Sequence, residues 1–206
     1  MPKKKTYHHG DLKNALIKAG VEILAKDGVN GLSLRKVAGR AGVSHSAPYS
    51  HFADKQALIA AISTEGFRQL YERVSAVAEE YKTKPSRQLV EVAWTYVQFA
   101  LDDRDRFKVM FSGVLEKEKD YPEFVTEAQR NFQLLKMIIE ANQASGVLRS
   151  GPSDLAALSA WGIIHGFIML LLEGQISHTV LGQMSLRELV EFQLEQIMLE
   201  NNPSKS

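Results

Sequence analysis

Five polar side chains near the N-terminus have the chemistry and the spacing of a recognition surface. They are Ser44, His45, Ser46, Tyr49 and His51, all within one stretch of eight residues. Hydroxyl and imidazole groups form hydrogen bonds with base edges or phosphates, and small side chains let a protein backbone approach a nucleic acid closely. The same residues could instead form the polar surface of an ordinary helical hairpin, so spacing alone leaves both interpretations open.

Two short helices are predicted to hold these side chains in place. Ser33 is the expected cap of a helix over residues 34–41, and Gly42 supplies a turn conformation that most residues adopt only at a cost. A third short helix is expected to begin at Ser44 and to end near Phe52. This pattern is that of a helix-turn-helix, whose second helix enters a DNA major groove about 12 Å wide.

Pro48 complicates the start of the third helix. A proline deep in a helix removes a backbone hydrogen bond and clashes one turn back, whereas a proline near the first turn is tolerated. The helix can therefore begin later than Ser44. This leaves open which of the polar side chains reach the bases.

Charge is distributed unevenly along the 206 residues. Residues 1–55 carry ten Lys or Arg against four acidic residues, and the remainder carries fifteen against twenty. The balances of +6 and −5 agree with the net charge of +1. A basic segment on an acidic body favours a phosphate-binding module joined to a domain of another kind. The lysines at positions 3–5 are either an arm that lies on DNA or a solubilising end.

Helical periodicity extends over nearly the whole chain. We find no run typical of a strand and no internal repeat, so the fold is predicted to be all-α. The first helix is expected over Asp11–Lys26 with closure at Asp27-Gly28, and Asp54 is expected to cap a long helix that ends at about Tyr81. Further helices are predicted at about 86–103, 105–116, 122–145, 153–175 and 185–200.

The N-terminal motif resembles the DNA-binding domain of TetR/AcrR-family repressors over residues 11 to about 67. The resemblance rests on three segments, Ser33-Leu34-Arg35-Lys36-Val37-Ala38, Ala41-Gly42-Val43-Ser44 and Tyr49-Ser50-His51-Phe52-Ala53-Asp54-Lys55-Gln56-Ala57-Leu58. It implies a three-helix DNA-binding domain over residues 1–55, with its motif at about 33–52. It also implies a larger helical-bundle domain over residues 56–206 that binds a ligand and dimerises, with a long linking helix at about 54–81.

The same resemblance assigns roles to the candidate DNA-binding residues. Ser33 and Tyr49 would bond phosphates, and His51 would lie against the DNA backbone. Lys55 would reach a further phosphate, and Arg35 belongs to the same DNA-binding set. The residues implied to face bases are Ser44, His45, Ser46 and Ala47.

Aromatic residues and methionines accumulate after about residue 85. At helical spacing they are either ordinary core residues or the lining of an adaptable apolar cavity, and the resemblance implies such a cavity for a small-molecule effector. The candidate ligand-binding residues are Trp94, Phe99, Phe107, Met110, Phe111, Phe132, Trp161, His165 and Met169.

Trp161 and His165 lie four residues apart, share one helical face and precede Gly166. This Trp-x-x-x-His-Gly arrangement is similar to a C-terminal domain type found in one branch of TetR-like regulators. His165 either bonds a ligand and titrates near neutral pH, or is a buried histidine satisfied by a backbone carbonyl.

The last two predicted helices, from about Leu155 to Gln175 and from Leu186 to Leu199, are apolar on more than one face. Such a helix needs burial on two sides, and a four-helix bundle formed with a second copy would supply it. The resemblance indicates the same homodimer. Two recognition units would then address half-sites about 34–36 Å apart, or a multiple of that distance.

Several functional classes are excluded or disfavoured by what the sequence lacks. Without cysteine, the chain has no disulfide, no thiolate metal site and no cysteine nucleophile. It has no glycine-rich phosphate loop, no Gly-x-Ser-x-Gly elbow and no credible metal-ligand spacing, so we expect no enzyme activity, cofactor or metal. The apolar stretch Trp161–Leu172 is too short to span a bilayer, and no apolar segment follows the N-terminal lysines. We therefore expect a cytoplasmic bacterial protein without membrane contact.

The sequence thus predicts a dimeric DNA-binding transcription regulator, in which a small molecule controls repression at a palindromic operator. The alternative is an architectural or constitutive DNA-binding regulator without a ligand. A cavity in the domain after residue 85 would favour the first interpretation, and a solid core would favour the second.

Overall fold

The computed structural model describes residues 9–199, and the side chains from residue 12 onward. Within this range the fold is all-α, as predicted, and the extended backbone there pairs only at an isolated antiparallel bridge between Leu148 and Met198. The helices are α1 (His9–Gly31), α2 (Leu34–Ala41), α3 (Lys55–Glu80), α4 (Pro85–Asp102), α5 (Arg104–Met110), α6 (Pro122–Ala144), α7 (Ser153–Leu172), α8 (His178–Leu181) and α9 (Leu186–Glu195), with 3₁₀ turns at Ala47–Ser50 and Glu118–Asp120.

α1 continues past the point at which the sequence predicts its end. Gly28 has φ 67° and ψ −174°, so the regular helix is interrupted there and one further turn follows to Gly31. The left-handed region favours glycine, and the predicted break is therefore present as a kink instead of a terminus.

The first of two compact units contains the residues up to Arg68 together with Asp103–Ala128. In this unit α2 and α5 pack on α1. The buried side chains of its core include Leu16, Ile17, Val37, Phe52, Leu58, Ile62 and Phe107.

Two glycines in this first unit lie where a side chain would collide with a neighbouring helix. A Cβ atom at Gly20 of α1 would lie only 2.9 Å from Cδ1 of Ile62 on α3. A Cβ atom at Gly66 of α3 would overlap the side chain of Met110 on α5. Because glycine has no side chain, α1 and α5 can approach α3 closely at these points.

The second unit contains Gln69–Asp102 and the described chain from Gln129 onward. There α4, α7 and α9 pack against one another. Arg187 Nη2 of α9 donates to Glu91 Oε1 of α4 at 2.7 Å, and this guanidinium holds the pKa of Glu91 below its usual range. The ion pair is added to a buried core that includes Val97, Phe99, Ile139, Ile168, Val190 and Leu194.

Two helices supply residues to both units. α3 changes unit after Arg68, and α6 changes unit after Ala128. The segment 103–128 therefore packs with the helix-turn-helix, although it follows α4 in the sequence. The two units are defined by packing and do not test the boundary between functional domains that is predicted at residue 55. That boundary stays a prediction.

α7 leaves much of its apolar surface uncovered. It has 20 residues, more than the twelve of the apolar stretch Trp161–Leu172, and it is long and apolar enough to cross a membrane by length and composition alone. Core helices of soluble proteins pass the same test, but only 28% of the apolar window of α7 is buried. Leu155 is 62% exposed and Leu158 is 52% exposed. Most of the apolar surface of α7 is therefore exposed in the single chain.

Candidate nucleic-acid interface and effector site

α2 fixes the backbone from which the recognition segment, residues 42–52, begins. The Ser33 hydroxyl oxygen accepts from the Lys36 amide at 3.2 Å, which confirms the predicted cap. At the other end Gly42 has φ 70°, and its amide donates to the carbonyls of Ala38 and Gly39. Val43 N also donates to Ala38 O at 3.0 Å. The chain therefore leaves α2 in one defined direction.

The recognition segment is shorter and tighter than a third α-helix from Ser44 to Phe52. Only the 3₁₀ turn Ala47–Ser50 is regular, with Pro48 in its first turn. Tyr49 N donates to Ser46 O at 3.2 Å, a bond between residues three apart. Because proline has no amide proton, Pro48 cannot donate to a preceding turn. The helical turn therefore begins after Ser44, as the position of Pro48 suggests.

The polar side chains before this turn are exposed. Ser44 Oγ and Ser46 Oγ lie 3.2 Å apart and share a hydrogen bond. The side chain of His45, between them, is exposed and forms no hydrogen bond with the described residues. Tyr49 is 62% exposed. These four residues offer donors and acceptors on one short stretch of surface.

Two further predicted DNA-binding residues of the recognition segment are partly buried. Ala47 is partly exposed, and its carbonyl accepts from the Ser50 hydroxyl at 2.7 Å. The ring of His51 lies 6.2 Å from that of Phe52, and its Nε2 atom is buried without a hydrogen-bond partner among the described residues. His51 is thus held by the core that supports the exposed residues.

Lys55 is the first residue of α3 and is tied to the end of α1. Its Nζ donates to the carbonyl of Val29 at 3.3 Å. An ammonium has three N–H donors, so this bond leaves others for a phosphate. Asp54 Oδ1 accepts from Ala57 N at 2.8 Å, which confirms Asp54 as the helix cap.

The three basic residues of α2 differ in their surroundings. Arg40 Nε donates to Glu22 at 2.6 Å, and Lys36 lies 3.9 Å from Asp27. Arg35 is exposed and makes no ion pair with the described residues. Its charge is therefore the one on α2 that no acidic side chain of α1 neutralises.

The candidate ligand-binding residues do not form one group. Phe107, Met110 and Phe111 lie in the first unit, where Phe111 contacts Phe107 and Phe67 at centroid distances of 4.8 and 5.3 Å. The other six lie in the second unit, and they are Trp94, Phe99, Phe132, Trp161, His165 and Met169. Chain connectivity explains the division, since α5 returns to the first unit after α4.

In the second unit a tyrosine that the sequence did not single out is at the centre of a polar cluster. Tyr96 Oη lies 2.8 Å from Nδ1 of His165, and Trp161 Nε1 donates to Tyr96 Oη at 3.2 Å. The ring of Phe132 meets that of Trp161 edge-on at 6.5 Å. A buried tyrosine hydroxyl requires hydrogen-bond partners. Tyr96 on an apolar helix was therefore the signal that could have revealed the cluster.

The cluster is held by two hydrogen bonds to one hydroxyl group. An indole N–H can only donate, so Tyr96 Oη accepts from Trp161. Tyr96 Oη and His165 Nδ1 share the second hydrogen bond. Burial raises the pKa of Tyr96 and lowers the pKa of His165, so both groups favour their neutral forms. The Nδ1 atom of His165 thus has a structural role as the hydrogen-bond partner of Tyr96, whether or not the ring also contacts a ligand.

Among the residues that the structure describes, no group of three or more His, Asp or Glu side chains is placed to hold a metal ion.

We expect the stability of the protein to depend on the protonation of His165. The folded state lowers the pKa of this imidazole, so the unfolded chain binds more protons at mildly acidic pH. The contribution of neutral His165 is complete above the unfolded pKa of about 6.5 and declines as the pH falls below it. Urea denaturation at fixed protein concentration should show the wild type losing stability relative to His165→Gln between about pH 7 and 5.

His178→Gln, at an exposed position on α8, is the matched control for loss of a histidine. If the curves of the wild type and His165→Gln stay parallel over this pH range, burial of a neutral His165 is wrong.

Two family descriptions match this chain in consecutive segments. Residues 16–62 match the description "Bacterial regulatory proteins, tetR family". Residues 89–197 match "Tetracyclin repressor-like, C-terminal domain". Together they cover the recognition segment, α3 as far as Ile62, and the described helices from α4 to α9.

Similar proteins and structures agree with these matches. An uncharacterised HTH-type transcriptional regulator of Bacillus subtilis, YobS, is 24% identical over 162 residues, which are 79% of this chain and 80% of that protein. A structure of a protein of unknown function from Rhodococcus sp. RHA1 is 30% identical, with a TM-score of 0.76, and covers 95% of this chain and 100% of that one.

A third similar structure is the transcriptional regulator FadR from Bacillus subtilis in complex with stearoyl-CoA. It is 21% identical, with a TM-score of 0.71, over 88% of this chain and 95% of that one. At this identity the likeness concerns the fold. The C-terminal match spans more than half of the 206 residues and is joined to an N-terminal helix-turn-helix of the same kind, so the chain belongs to the TetR family of bacterial DNA-binding transcription regulators.

Proposed function

We propose that this regulator is a homodimeric repressor that binds a palindromic operator and releases it when a small molecule binds the second unit. The observation that carries the proposal is the exposed recognition segment, whose polar side chains project from a turn fixed at Gly42. Its family is one of transcription regulators. We place the protein in the bacterial cytoplasm, where DNA is accessible to it.

The proposed contacts with DNA divide into two groups. Phosphates are bound by Ser33, Arg35 and Lys55, which flank the recognition segment in the chain, and by Tyr49 within it. His51, whose Nε2 atom is buried, lies against the DNA backbone. The cap bond of Ser33 uses only its oxygen as an acceptor, so its proton can still be donated to a phosphate. The bases are read by the residues at the start of the turn, Ser44, His45, Ser46 and Ala47.

The exposed face of α7 supports the homodimer. Leu155, Leu158 and Leu170 are 62%, 52% and 47% exposed and recur at helical spacing. Gly162 and Gly166 lie between them on the same face, and a Cβ atom at either position would meet nothing within 4 Å. A second copy of the same helix can approach closely over two glycines and bury the flanking leucines. Phe192 of α9, 50% exposed, extends the proposed interface to both helices.

The second unit supports binding of an apolar effector. Its candidate residues are mostly aromatic, and two of them, Trp161 and His165, form a polar cluster with Tyr96 that Phe132 contacts. Sites for small apolar ligands have this composition. The similar structure with stearoyl-CoA makes long-chain acyl compounds the first ones to try as effectors. α3 contributes to both units, so we propose that the effector displaces it and changes the spacing of the two recognition segments.

A constitutive regulator without a ligand is the second candidate. Tyr96, Trp161 and His165 bond one another, and such an internally satisfied cluster is also what a solid core requires. A change in DNA affinity on addition of an effector separates the two candidates.

The proposed function is tested by selecting bound fragments from random double-stranded DNA with the full-length protein at physiological salt. An enriched palindrome with half-sites about one helical turn apart, or a multiple, is the expected result. Recovery of no enriched sequence would remove the operator-binding repressor from consideration.

On the selected duplex, Lys55→Ala should weaken binding to all sequences alike. Loss of one phosphate contact should also reduce the slope of log Kobs against log salt concentration by about one. Tyr49→Phe should likewise weaken binding to all sequences to the same degree.

His45→Ala should instead leave the slope unchanged and relax the preference at particular base pairs, by about 1–3 kcal/mol each. Fluorescence anisotropy on the selected and a shuffled duplex, at several salt concentrations, measures both quantities. A change of preference with Lys55→Ala, or unaltered selectivity with His45→Ala, contradicts these assignments.

Leu158→Arg should convert the dimer to a monomer. A dimer would bury the new guanidinium without a partner, which costs more than the apolar contacts of one leucine supply. Sedimentation velocity over a range of protein concentrations measures the association state. Val180→Arg, at an exposed apolar position on α8 outside the proposed interface, is the matched control. A Leu158→Arg protein that remains dimeric would place the interface elsewhere.

A further inference from the structure

Gln56, in the first turn of α3, holds a backbone segment about 60 residues away in the sequence. Its Oε1 accepts from the amide of Glu116 at 3.0 Å, and its Nε2 donates to the carbonyl of Val114 at 3.4 Å. One side-chain amide thus bonds the carbonyl of one residue and the N–H of the residue two further on. A β-strand paired alongside this segment would form hydrogen bonds with the same carbonyl and the same N–H group.

The segment held in this way has no regular structure of its own. Residues 112–117 lie between α5 and the 3₁₀ turn at Glu118–Asp120, outside any helix. Between the two bonded backbone groups, Leu115 is buried, with 8% of its surface exposed. The position of this α5–α6 loop therefore depends on the Leu115 side chain and on the Gln56 amide.

The residue before Gln56 is the proposed phosphate ligand Lys55. Asp54 caps the helix at this point, Lys55 bonds Val29 O, and Gln56 bonds the loop. Three consecutive side chains thus connect the start of α3 to its own amides, to the end of α1 and to the α5–α6 loop. Because both polar atoms of the Gln56 amide are bonded to the loop, a shift of the loop would either break these bonds or move the first turn of α3.

We propose that Gln56 is a positioning residue for DNA binding, which fixes Lys55 in its DNA-competent orientation by clamping the α5–α6 loop. Gln56 itself does not touch the DNA. The inference rests on the proposed role of Lys55. In this proposal, a displacement of α5 or of the start of α6 is transmitted to the recognition segment through the α5–α6 loop.

The clamp requires both polar atoms of the amide. Glutamine supplies a donor and an acceptor at one side-chain end, whereas a methionine of similar length supplies neither. Gln56→Met therefore removes the two hydrogen bonds with little change in volume, and Gln56→Ala removes the side chain as well. Leu115→Ala loosens the same loop from its buried side.

Gln56→Met should weaken binding to the selected palindrome about three- to thirtyfold, the range expected when two neutral hydrogen bonds no longer hold the bound conformation. The slope of log Kobs against log salt concentration should stay unchanged, because no phosphate contact is lost. Gln56→Met and Leu115→Ala should be less than additive in a double-mutant cycle, since both act through the loop. Gln98→Ala, at an exposed position on α4, is the control for loss of a glutamine.

Amide hydrogen exchange supplies a second readout, at residues whose own amides do not bond Gln56. In the wild type, binding of the duplex should slow exchange at Val114, Leu115 and Lys117, which lie in the clamped loop and outside the proposed DNA contacts. In Gln56→Met this protection should be lost at saturating DNA, at a temperature at which the variant is folded by circular dichroism. If Gln56→Met does not fold, Leu115→Ala carries the same measurement.

Three results would overturn the inference. Wild-type affinity of Gln56→Met would show that the clamp does not position Lys55. A slope reduced by about one would make Gln56 a phosphate ligand. Additive effects of Gln56→Met and Leu115→Ala would separate the residue from the loop. Failure of the wild type itself to bind any duplex is a different outcome, since it removes the proposed function and the inference together.

Discussion

The left-handed turn at Gly42 is the constraint on which the recognition surface depends. Its amide closes α2 on the carbonyls of Ala38 and Gly39, and its φ of 70° directs the chain away from the helix axis. Residues 44–51 contain a single 3₁₀ turn, with backbone bonds from the amides of Ala47, Tyr49 and His51 to carbonyls three residues earlier. The turn lies between the cap at Gly42 and Phe52, which is 97% buried. The short polar segment is thus a defined surface because its turn is bonded internally and both of its ends are fixed.

Local signals in the sequence predicted the elements that are fixed by local bonds. The helix expected over residues 34–41 has those bounds in the structure, since Ser33 and Gly42 cap its two ends. Asp54 begins α3 for the same reason. Pro48 correctly suggested a late start for the turn after Ser44. In each case the bonds that decide the boundary join residues no more than five apart.

Features decided by distant contacts were less visible. The ligand-binding candidates Phe107, Met110 and Phe111 were grouped with later aromatics because composition changes after residue 85, but the chain returns to the first unit at α5. Tyr96 was not among the candidates, since its partners on α7 lie 65 and 69 residues away. The Gln56 clamp joins residues 58 and 60 apart and has no periodicity to reveal it. Helical spacing identifies which side of a helix is buried, but not which helix covers it.

The exposed apolar face of α7 has a consequence for pairing specificity when related regulators are present in the same cell. Between Asp154 and Glu173 the helix carries no Asp, Glu, Lys or Arg. In the proposed dimer, mixed pairing with a related chain therefore cannot be prevented by like charges at the centre of this face. Discrimination must come from shape, through the pattern of leucines and the two glycines. After duplication of the gene, changes in side-chain size along α7 would have to come first, because they stop the two copies from forming mixed dimers. The DNA preferences of the two copies could diverge only after that.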